Sequence, residues 1–304
     1  MKAPPFAYVR ARSLAEVFEL LEQHGERAQL LAGGQSLLAS LNMRLSAPAL
    51  LIDISRLREL SGIQARDGKV HIGALTTHAE IERSAEIGRQ LPLLAQAVPH
   101  IAHSAIRNAG TFGGSIALAD PAAEWPACCV ALDAQFVLAC KAGTRRVAAR
   151  AFFKGLYATA LKPNEVLTQV EIPVPGAGYR SAFLELALRR GDYAIAGLAA
   201  LAKNTRGVLS DLRLAFLGIG AAPALARGVM AAMEGKRASA DAIAAATEAL
   251  AKDLEPSADL YSSAATKMQL ARVLTGRALT ALATQQLKTK YLVNPVHSCS
   301  SILR

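Results

Sequence analysis

Two short glycine-rich segments constrain this chain more than any other feature of its sequence. The first, "LLAGGQSLL", covers residues 30–38, and the second, "NAGTFGGSIALADPAAEWPA", covers residues 108–127. Each places a Gly-Gly pair beside hydroxyl or amide side chains. Glycine is needed where the backbone adopts positive φ or where another group approaches it closely. Both segments therefore predict rows of exposed backbone N–H groups, an arrangement that binds an anion such as a pyrophosphate.

Neither segment matches a standard nucleotide motif. There is no GxxxxGK[ST] sequence, so a P-loop is excluded, and no GxGxxG with an acid about 20 residues later, so the Rossmann fingerprint is missing. Two anion-binding loops without a lysine favour a dinucleotide whose diphosphate is held by backbone groups from two sides. The alternative is that each Gly-Gly pair is only a turn, the commoner role of such pairs after a strand.

Composition narrows the class of protein. A chain of 304 residues with 52% hydrophobic content can bury a large core, in two domains or one large one. No apolar run reaches the ~20 residues that span a bilayer, and the N-terminus lacks the apolar region of a secretory signal. The four cysteines have neither disulfide nor CxxC spacing, which predicts a reducing cytosol and no iron–sulfur cluster on this chain. They are Cys128, Cys129, Cys140 and Cys299.

The net charge of +10 raises the question of nucleic-acid binding. The basic residues are spread along the chain, with Arg145-Arg146 as the longest cluster, and 5% aromatic residues are too few for base-stacking platforms. The sequence therefore argues against a nucleic-acid partner. An acidic protein partner or an anionic cofactor accounts for the charge equally well.

Hydrophobic periodicity predicts alternating helices and strands in the N-terminal part of the chain. Capping boxes at Ser13–Glu16 and Thr77–Glu80 predict two helix starts, and Asp67-Gly68 predicts a hairpin turn. A mostly helical stretch is expected over residues 91–101. Strands are predicted at residues 29–31, 49–55, 69–72, 135–140, 145–148 and 165–175.

The segment "PVPGAG", residues 173–178, is the expected domain boundary. Beyond it the sequence predicts strands near residues 181–188, 193–203 and 209–218. After Pro223 the chain becomes Ala-rich and is predicted to be helical to about Leu287, because strong helix formers dominate. The last seventeen residues lose this periodicity and are predicted to form a loose tail.

Four blocks of the sequence together resemble a known family. "LLAGGQSLL", "LIDIS", "IGALTTHAEIE" and "IRNAGTFGGSIALADPAAEWPA" occur in the order found in the FAD-binding medium subunit of the molybdenum hydroxylases. The resemblance covers about residues 5–283. It implies an α+β fold with a PCMH-type FAD-binding domain of two α/β subdomains (1–176). A C-terminal domain with a small antiparallel sheet packed on helices (177–287) and a tail (288–304) are expected to follow.

The resemblance also implies which residues contact FAD. The diphosphate and ribityl contacts would come from Ala32, Gly33, Gly34, Gln35, Ser36, Thr111, Phe112, Gly113, Gly114 and Ser115. Ile101 would lie against the adenine, and Asp120 and Glu124 would accept hydrogen bonds from the adenosine hydroxyls. Leu167 would line the flavin pocket, while Asp192 and Tyr193 would shape access to the isoalloxazine ring. Leu188 and Glu185 depart from the family pattern, which leaves the electron acceptor open.

By resemblance, the chain is an electron-transfer subunit with no catalytic residue and no metal ligand of its own. Two [2Fe-2S] clusters on a small partner subunit would deliver electrons through FAD to an external acceptor. A large partner subunit would hold the molybdenum cofactor, in a cytoplasmic dimer of heterotrimers. Two alternatives stay open at this point. They are a free-standing flavin oxidase of the vanillyl-alcohol type and a non-catalytic assembly module.

Several other residues have chemistry worth weighing. His100 and His103 have HxxH spacing, but a pair without a third ligand favours a structural role. Arg107 could contact phosphate or brace a loop. The adjacent pair Cys128-Cys129 is expected in the core. His78 follows a capping Thr, which predicts a solvated residue in the first turn of a helix.

Overall fold

A three-stranded parallel sheet opens the part of the chain that the structure describes, which is residues 2–284 of a computed structural model. Its order is β1-β3-β2, with β1 at Ala7–Arg10, β2 at Ala28–Leu31 and β3 at Leu50–Asp53. Helix α1 (Leu14–His24) packs its apolar side onto this sheet. The first glycine loop, residues 32–36, directly follows β2, as predicted. The predicted tail, residues 288–304, lies outside the described residues.

The two capping boxes differ in completeness. At the start of α1, the Ser13 side chain accepts the N–H of Glu16 at 3.2 Å, but the Glu16 carboxylate accepts the N–H of Arg12 instead of that of Ser13. The box at Thr77 is complete, because Thr77 and Glu80 exchange both bonds. Both helix starts are therefore confirmed, and only the reciprocal bond of the first box was wrongly predicted.

A five-stranded antiparallel sheet forms the second part of the N-terminal half, with the order β4-β5-β10-β6-β7. The predicted turn at Asp67-Gly68 is confirmed, since both residues have positive φ and join β4 to β5. Two short strands, β8 and β9, pair separately. The bounds are β4 Ile63–Arg66, β5 Lys69–Gly73, β6 Gln135–Cys140, β7 Gly143–Ala148, β8 Phe153–Gly155, β9 Ala158–Thr159 and β10 Val166–Pro173.

A series of short helices lies between β5 and β6 and contains the second glycine loop, residues 111–115. One further helix, α9, follows β7. Helix α2 (Leu37–Asn42) lies earlier, between the first glycine loop and β3. The other bounds are α3 His78–Arg83, α4 Ala85–Gln90, α5 Pro92–Ala97, α6 Ser104–Arg107, α7 Phe112–Leu118, α8 Glu124–Ala131 and α9 Ala149–Phe152. Single 3₁₀ turns occur at Gly25–Arg27, Arg58–Leu60 and Val98–His100.

The C-terminal half is an antiparallel sheet with helices packed on one face. The sheet order is β11-β12-β13-β14, and β15 also pairs with β13. Because strand side chains alternate between faces, Phe183 and Leu201 join the core of the N-terminal helices, whereas Leu198 and Leu214 pack under the C-terminal helices. The bounds are β11 Tyr179–Ala187, β12 Ala194–Thr205, β13 Val208–Leu217, β14 Ala224–Leu225, β15 Lys236–Arg237, α10 Arg227–Met233, α11 Ala240–Thr247, α12 Leu250–Asp253 and α13 Ala264–Ala283.

The predicted α+β fold is confirmed. Each predicted strand is present to within a few residues, and the helical stretch after Pro223 is interrupted by β14, by β15 and by an irregular segment at residues 254–263. The expected boundary segment, residues 173–178, joins β10 to β11. None of the helices within residues 2–284 combines the length and the hydropathy needed to cross a bilayer.

Candidate functional site

The first glycine loop is in direct contact with the segment that leads into the second, although the two are distant in sequence. A Cβ placed on Gly33 would lie 2.1 Å from the carbonyl oxygen of Ala109 and 3.0 Å from the Cα of Gly110. Real Cβ atoms do not approach other atoms to 2.1 Å, so only glycine fits this position without a backbone shift. The first loop and the segment that leads into the second therefore form one continuous surface.

The first glycine loop has free backbone donors. Among residues 2–284, no acceptor lies within hydrogen-bond distance of the N–H groups of Gly33, Gly34, Gln35 and Ser36. Gly34 has φ of +69°, and the Gln35 side-chain amide donates to the Gly33 carbonyl at 3.0 Å, which holds the turn. Unpaired N–H groups that are partly exposed attract anions. The expected row of donors is therefore present in this loop.

The second glycine loop uses its first donors inside the protein. The N–H of Phe112 donates to the Thr76 carbonyl and that of Gly113 to the Ala74 carbonyl, both at 2.8 Å. A Cβ on Gly113 would lie 2.5 Å from the Cβ of Ala74. This glycine is therefore required for the close packing of α7 against the segment that follows β5.

Thr111 accounts for the remaining donors of the second loop. As the N-cap of α7, its side chain accepts the N–H of Gly114 and its carbonyl accepts the N–H of Ser115, each at 3.1 Å. The expectation of a free row of N–H groups is therefore wrong for this loop, because the cap and the neighbouring strand end supply acceptors. Gly114 and Ser115 are the members of this loop that keep partial exposure.

His78 lies behind the second loop and is buried, with 5% exposure. Trp125 donates its indole N–H to His78 Nδ1 at 3.0 Å, so the neutral ring carries its proton on Nε2. Burial, followed by the positive charge of Arg107, lowers the pKa of His78 to about 4. A Cβ on Gly110 would lie 2.8 Å from His78 Nε2. The prediction of a solvated first-turn residue was wrong, because α3 packs this face onto α8 and the loop.

Arg107 braces the backbone beside the second loop. Its guanidinium donates to the carbonyls of Ile101 and Ala102 at 3.0 Å each and to Glu82 at 2.9 Å. Gly191, at the turn between β11 and β12, packs on the same Ala102 carbonyl, which a Cβ would approach to 2.8 Å. Of the two predicted roles for Arg107, the structure has the bracing one. Arg107 thereby supports the turn that carries Asp192 and Tyr193, both of which are exposed.

Asp120 lies on a tightly held turn before α8. One carboxylate oxygen accepts the N–H of Ala122 at 2.9 Å, and the other is 3.4 Å from the Tyr157 hydroxyl. The N–H of Gly218 donates to the Pro121 carbonyl at 2.8 Å, which ties this turn to the end of β13. Asp120 is therefore a partly exposed, oriented carboxylate with acceptor capacity left for a ligand hydroxyl.

Glu124 does not share the surface position of Asp120. It is the first residue of α8 and only 9% exposed. Burial, and then the charge of Glu185, raises the pKa of Glu124 to about 8, and burial raises the pKa of Glu185 to about 7. Glu185 belongs to the same acidic group, yet sequence reasoning treated it only as a departure from a family pattern. The sequence signal that could have found Glu185 is its position on β11. It lies two residues after the buried Phe183, so its side chain is on the face turned to the core.

Two further predicted residues lie in the core. Ile101 is 8% exposed and Leu167 is 5% exposed, and both belong to the main hydrophobic cluster. Any contact with a ligand would therefore use a small part of each side chain, and their roles stay predictions.

His100 and His103 do not converge on a shared site, since His100 packs on Phe183 while His103 is exposed. Cys128 and Cys129 are fully buried, as predicted.

The comparisons with known proteins decide the family. The family model described as "FAD binding domain in molybdopterin dehydrogenase" matches residues 4–175, and the "CO dehydrogenase flavoprotein C-terminal domain" model matches residues 181–282. The chain belongs to the molybdopterin dehydrogenase flavoproteins. Its N-terminal half is therefore an FAD-binding domain, and the chain is an oxidoreductase component. The resemblance inferred from four sequence blocks is confirmed.

Curated relatives of this flavoprotein family match almost the whole chain. The medium chain of carbon monoxide dehydrogenase from Hydrogenophaga pseudoflava is 37% identical over 92% of this chain and 98% of its own length. Subunit alpha of the 6-hydroxypseudooxynicotine dehydrogenase complex from Paenarthrobacter nicotinovorans is also 37% identical, over 92% of this chain and 95% of its own length. The two relatives are components of dehydrogenases that are named for different substrates.

A solved structure shares the fold of this family member throughout. Carbon monoxide dehydrogenase from Hydrogenophaga pseudoflava, in a form that lacks the Mo-pyranopterin moiety of its cofactor, aligns with a TM-score of 0.90 and 39% identity. The alignment covers 93% of this chain and 98% of the other. The molybdopterin dehydrogenase flavoprotein fold therefore extends through both halves of the described chain.

Proposed function

We propose that this chain is the electron-transfer flavoprotein of a molybdenum-containing dehydrogenase. Electrons from [2Fe-2S] clusters on a partner subunit would pass through FAD on this chain to an external acceptor. The observation that carries this proposal is the contact of the first glycine loop with the segment that leads into the second, with free N–H donors on the first loop. If each loop were only a turn, the two segments would have no need to pack so closely that a Cβ on Gly33 would collide with the Ala109 carbonyl.

FAD fits the residues at this surface. The four N–H groups of residues 33–36 that have no acceptor within residues 2–284 suit its diphosphate. Ala32 and the second loop (Thr111, Phe112, Gly113, Gly114 and Ser115) would shape the cradle, with the Ser115 hydroxyl as a donor. Asp120 would accept a hydrogen bond from an adenosine hydroxyl. Exposed Tyr193 and Asp192 would lie beside the ring, while Ile101 and Leu167 would support the pocket from the core.

The chain's own residues supply position and electrostatics for this function. Bound FAD supplies redox chemistry that links one-electron donors to a two-electron acceptor. Arg107 holds the turn at Ala102 on which the Tyr193 hairpin sits, and Thr111 caps the helix that fixes the second loop. Under this proposal the substrate is oxidised on the partner that holds molybdenum. This chain therefore needs no residue that abstracts a proton from the substrate.

The partners proposed are a large subunit with the molybdenum cofactor and a small subunit with two [2Fe-2S] clusters, in a cytoplasmic dimer of heterotrimers. Support comes from the relatives, which are named as medium chains or subunits of dehydrogenase complexes. Co-purification of this chain with its co-expressed genomic neighbours tests this. Molybdenum and iron in the purified complex are the expected result, whereas a chain that purifies alone under all conditions would contradict it.

Flavin content is the direct test of the function. The purified full chain, reconstituted with FAD, is expected to hold about one flavin per chain and to release it into the supernatant on acid precipitation. Flavin that stays with the precipitate would indicate covalent attachment and favour a vanillyl-alcohol-type oxidase. A chain that never binds flavin but still joins the complex would be an assembly module, and the electron-transfer proposal would fail.

A further inference from the structure

Glu185 is a buried carboxyl group with an unused oxygen. Its side chain is 3% exposed and lies on the face of β11 that packs against α5. Within residues 2–284 its Oε2 has no hydrogen-bond partner, and its Oε1 is 4.0 Å from Nδ1 of His100. A buried carboxylate with so little support is costly, whereas a protonated carboxyl group is tolerated.

Glu124 lies on α8, which packs against β12 and β13 of the same sheet, and the charge of Glu185 acts on it. Neither glutamate forms an ion pair with Lys or Arg among the described residues. This sets them apart from Glu165 and Glu171, whose buried carboxylates bind Arg145 and Arg146. Two buried carboxyl groups without a cation favour sharing a proton over double ionisation. Burial raises the pKa of both into the neutral range, and the charge of Glu185 adds to this effect at Glu124.

The acidic pair connects to the surface at two ends. The His100 side chain is 39% exposed, and burial, followed by the charge of Arg190, lowers its pKa. At the other end, Tyr193 is exposed but partly shielded from water by its neighbours. That shielding, and then the charges of Asp120 and Glu124, raise the pKa of Tyr193. Cys128, one turn along α8, is a neutral thiol beside the pair. The titratable groups thus form a series from solvent at His100 to the Tyr193 surface.

We propose that Glu124, Glu185 and His100 form a buried proton-holding site that exchanges protons with the Asp120–Tyr193 surface. The inference rests on the proposed function for its purpose. FAD that receives two electrons from iron–sulfur donors also binds a proton, and the carboxyl pair would lose one. His100 would then return a proton from solvent to Glu185, and the proton held by the flavin would leave to the acceptor or to solvent with the two electrons, so that charge and protons balance over the cycle.

Carboxyl titration tests the site independently of flavin. The full chain labelled with ¹³C at the glutamate carboxyl carbon is titrated from pH 5 to 9 by NMR. Two resonances are expected to titrate in the neutral range. Glu185→Gln should remove one and move the other to lower pH, because the like charge on the neighbour is gone. The matched control is Glu171→Gln, a carboxyl equally buried but paired with Arg146 and Lys69, which should leave both titrations in place.

Failure of this titration would overturn the site. That outcome is either no glutamate titrating above pH 6 or an unmoved Glu124 resonance in Glu185→Gln. If Glu185→Gln does not fold, Glu124→Gln reports the same coupling from the other side. A chain that binds no flavin yet shows both titrations would refute the proposed function and leave the proton site standing.

The flavin-loaded chain tests the exchange. Its midpoint potential is measured against pH in the wild type, Glu185→Gln and Glu171→Gln. A two-electron couple that takes up one proton shifts by about 30 mV per pH unit, the value of a tenfold change in proton activity. The slope is expected to change across pH 6–9 in Glu185→Gln and to stay as in the wild type in Glu171→Gln. Identical slopes in all three would overturn the link between the site and flavin.

Discussion

Gly33→Ala is the substitution that most directly tests how the site is built. The added methyl would lie 2.1 Å from the Ala109 carbonyl oxygen, well inside the 3.0 Å that real Cβ contacts respect. The atoms that the methyl would meet belong to the backbone of residues 109 and 110. Relief of the contact therefore requires one of the two segments to move by about 1 Å. Gly33 does not have positive φ, so the effect is steric and not a matter of backbone strain. The movement would displace the free N–H groups of the first loop.

The magnitude follows from overpacking of closely packed groups. Such insertions cost about 1–3 kcal/mol of folding free energy. For a domain of this size, each kcal/mol corresponds to roughly 2–4 °C in Tm. If about half of this strain appears only in the bound state, FAD affinity falls by roughly 2- to 13-fold, since 1.4 kcal/mol is a factor of ten. Thermal unfolding of the flavin-free chain and titration of FAD by its fluorescence measure the two effects separately.

Gly88→Ala is the matched control. Gly88 lies in α4, and a Cβ there would meet nothing within 4 Å. Alanine in a helix is favoured over glycine by up to about 1 kcal/mol, so this variant should be as stable as the wild type or more so, with unchanged FAD affinity. Wild-type FAD affinity in Gly33→Ala would refute the reasoning that contact between the loops shapes the flavin site. So would equal losses in both variants.

Three further outcomes are expected, each measured by urea unfolding. Trp125→Phe removes the donor to His78 Nδ1 and should lower stability by about 1–3 kcal/mol, and an unchanged midpoint would contradict the buried bond. Lys267→Met keeps the buried volume but removes the ammonium group that donates to the Gly218 carbonyl at 2.9 Å. The free energy of unfolding should fall by about 1–3 kcal/mol, and the control Lys252→Met, at an exposed position, should not show this loss. Burial raises the pKa of Glu185 to about 7, so its stabilising contribution is present below its unfolded pKa near 4.5 and is lost as pH rises through 7. Glu185→Gln should therefore gain on the wild type by roughly 3 kcal/mol between pH 5 and 8.5, and parallel pH profiles would contradict this.

Local sequence patterns predicted most of the fold. The turn at Asp67-Gly68, the complete capping box at Thr77 and the strands on both sides of the 173–178 segment are all present. Each depends on residues close in sequence. Examples are a pair of residues with positive φ and a hydroxyl that accepts the N–H three residues later. The resemblance of four short blocks then identified the family, because their order along the chain is itself specific.

Long-range contacts account for what sequence reasoning missed. His78 has the sequence context of a solvated helix start, but it is buried against Trp125, distant along the chain, and burial followed by the charge of Arg107 lowers its pKa. The second glycine loop has the composition of an anion site, yet Ala74 and Thr76 accept its first N–H groups. Neither outcome has a local signal, since the partner in each case arrives from another element.

The sequence by itself determined the elements, their order and the family, because hydrophobic period, turn residues and motif spacing are properties of neighbouring positions. Tertiary structure alone decided that Gly33 meets Ala109, that the first loop keeps free donors while the second does not, and that Glu185 is enclosed beside Glu124. Those facts depend on which surfaces pack together. Burial and the supply of acceptors are set by distant groups, which no local pattern encodes.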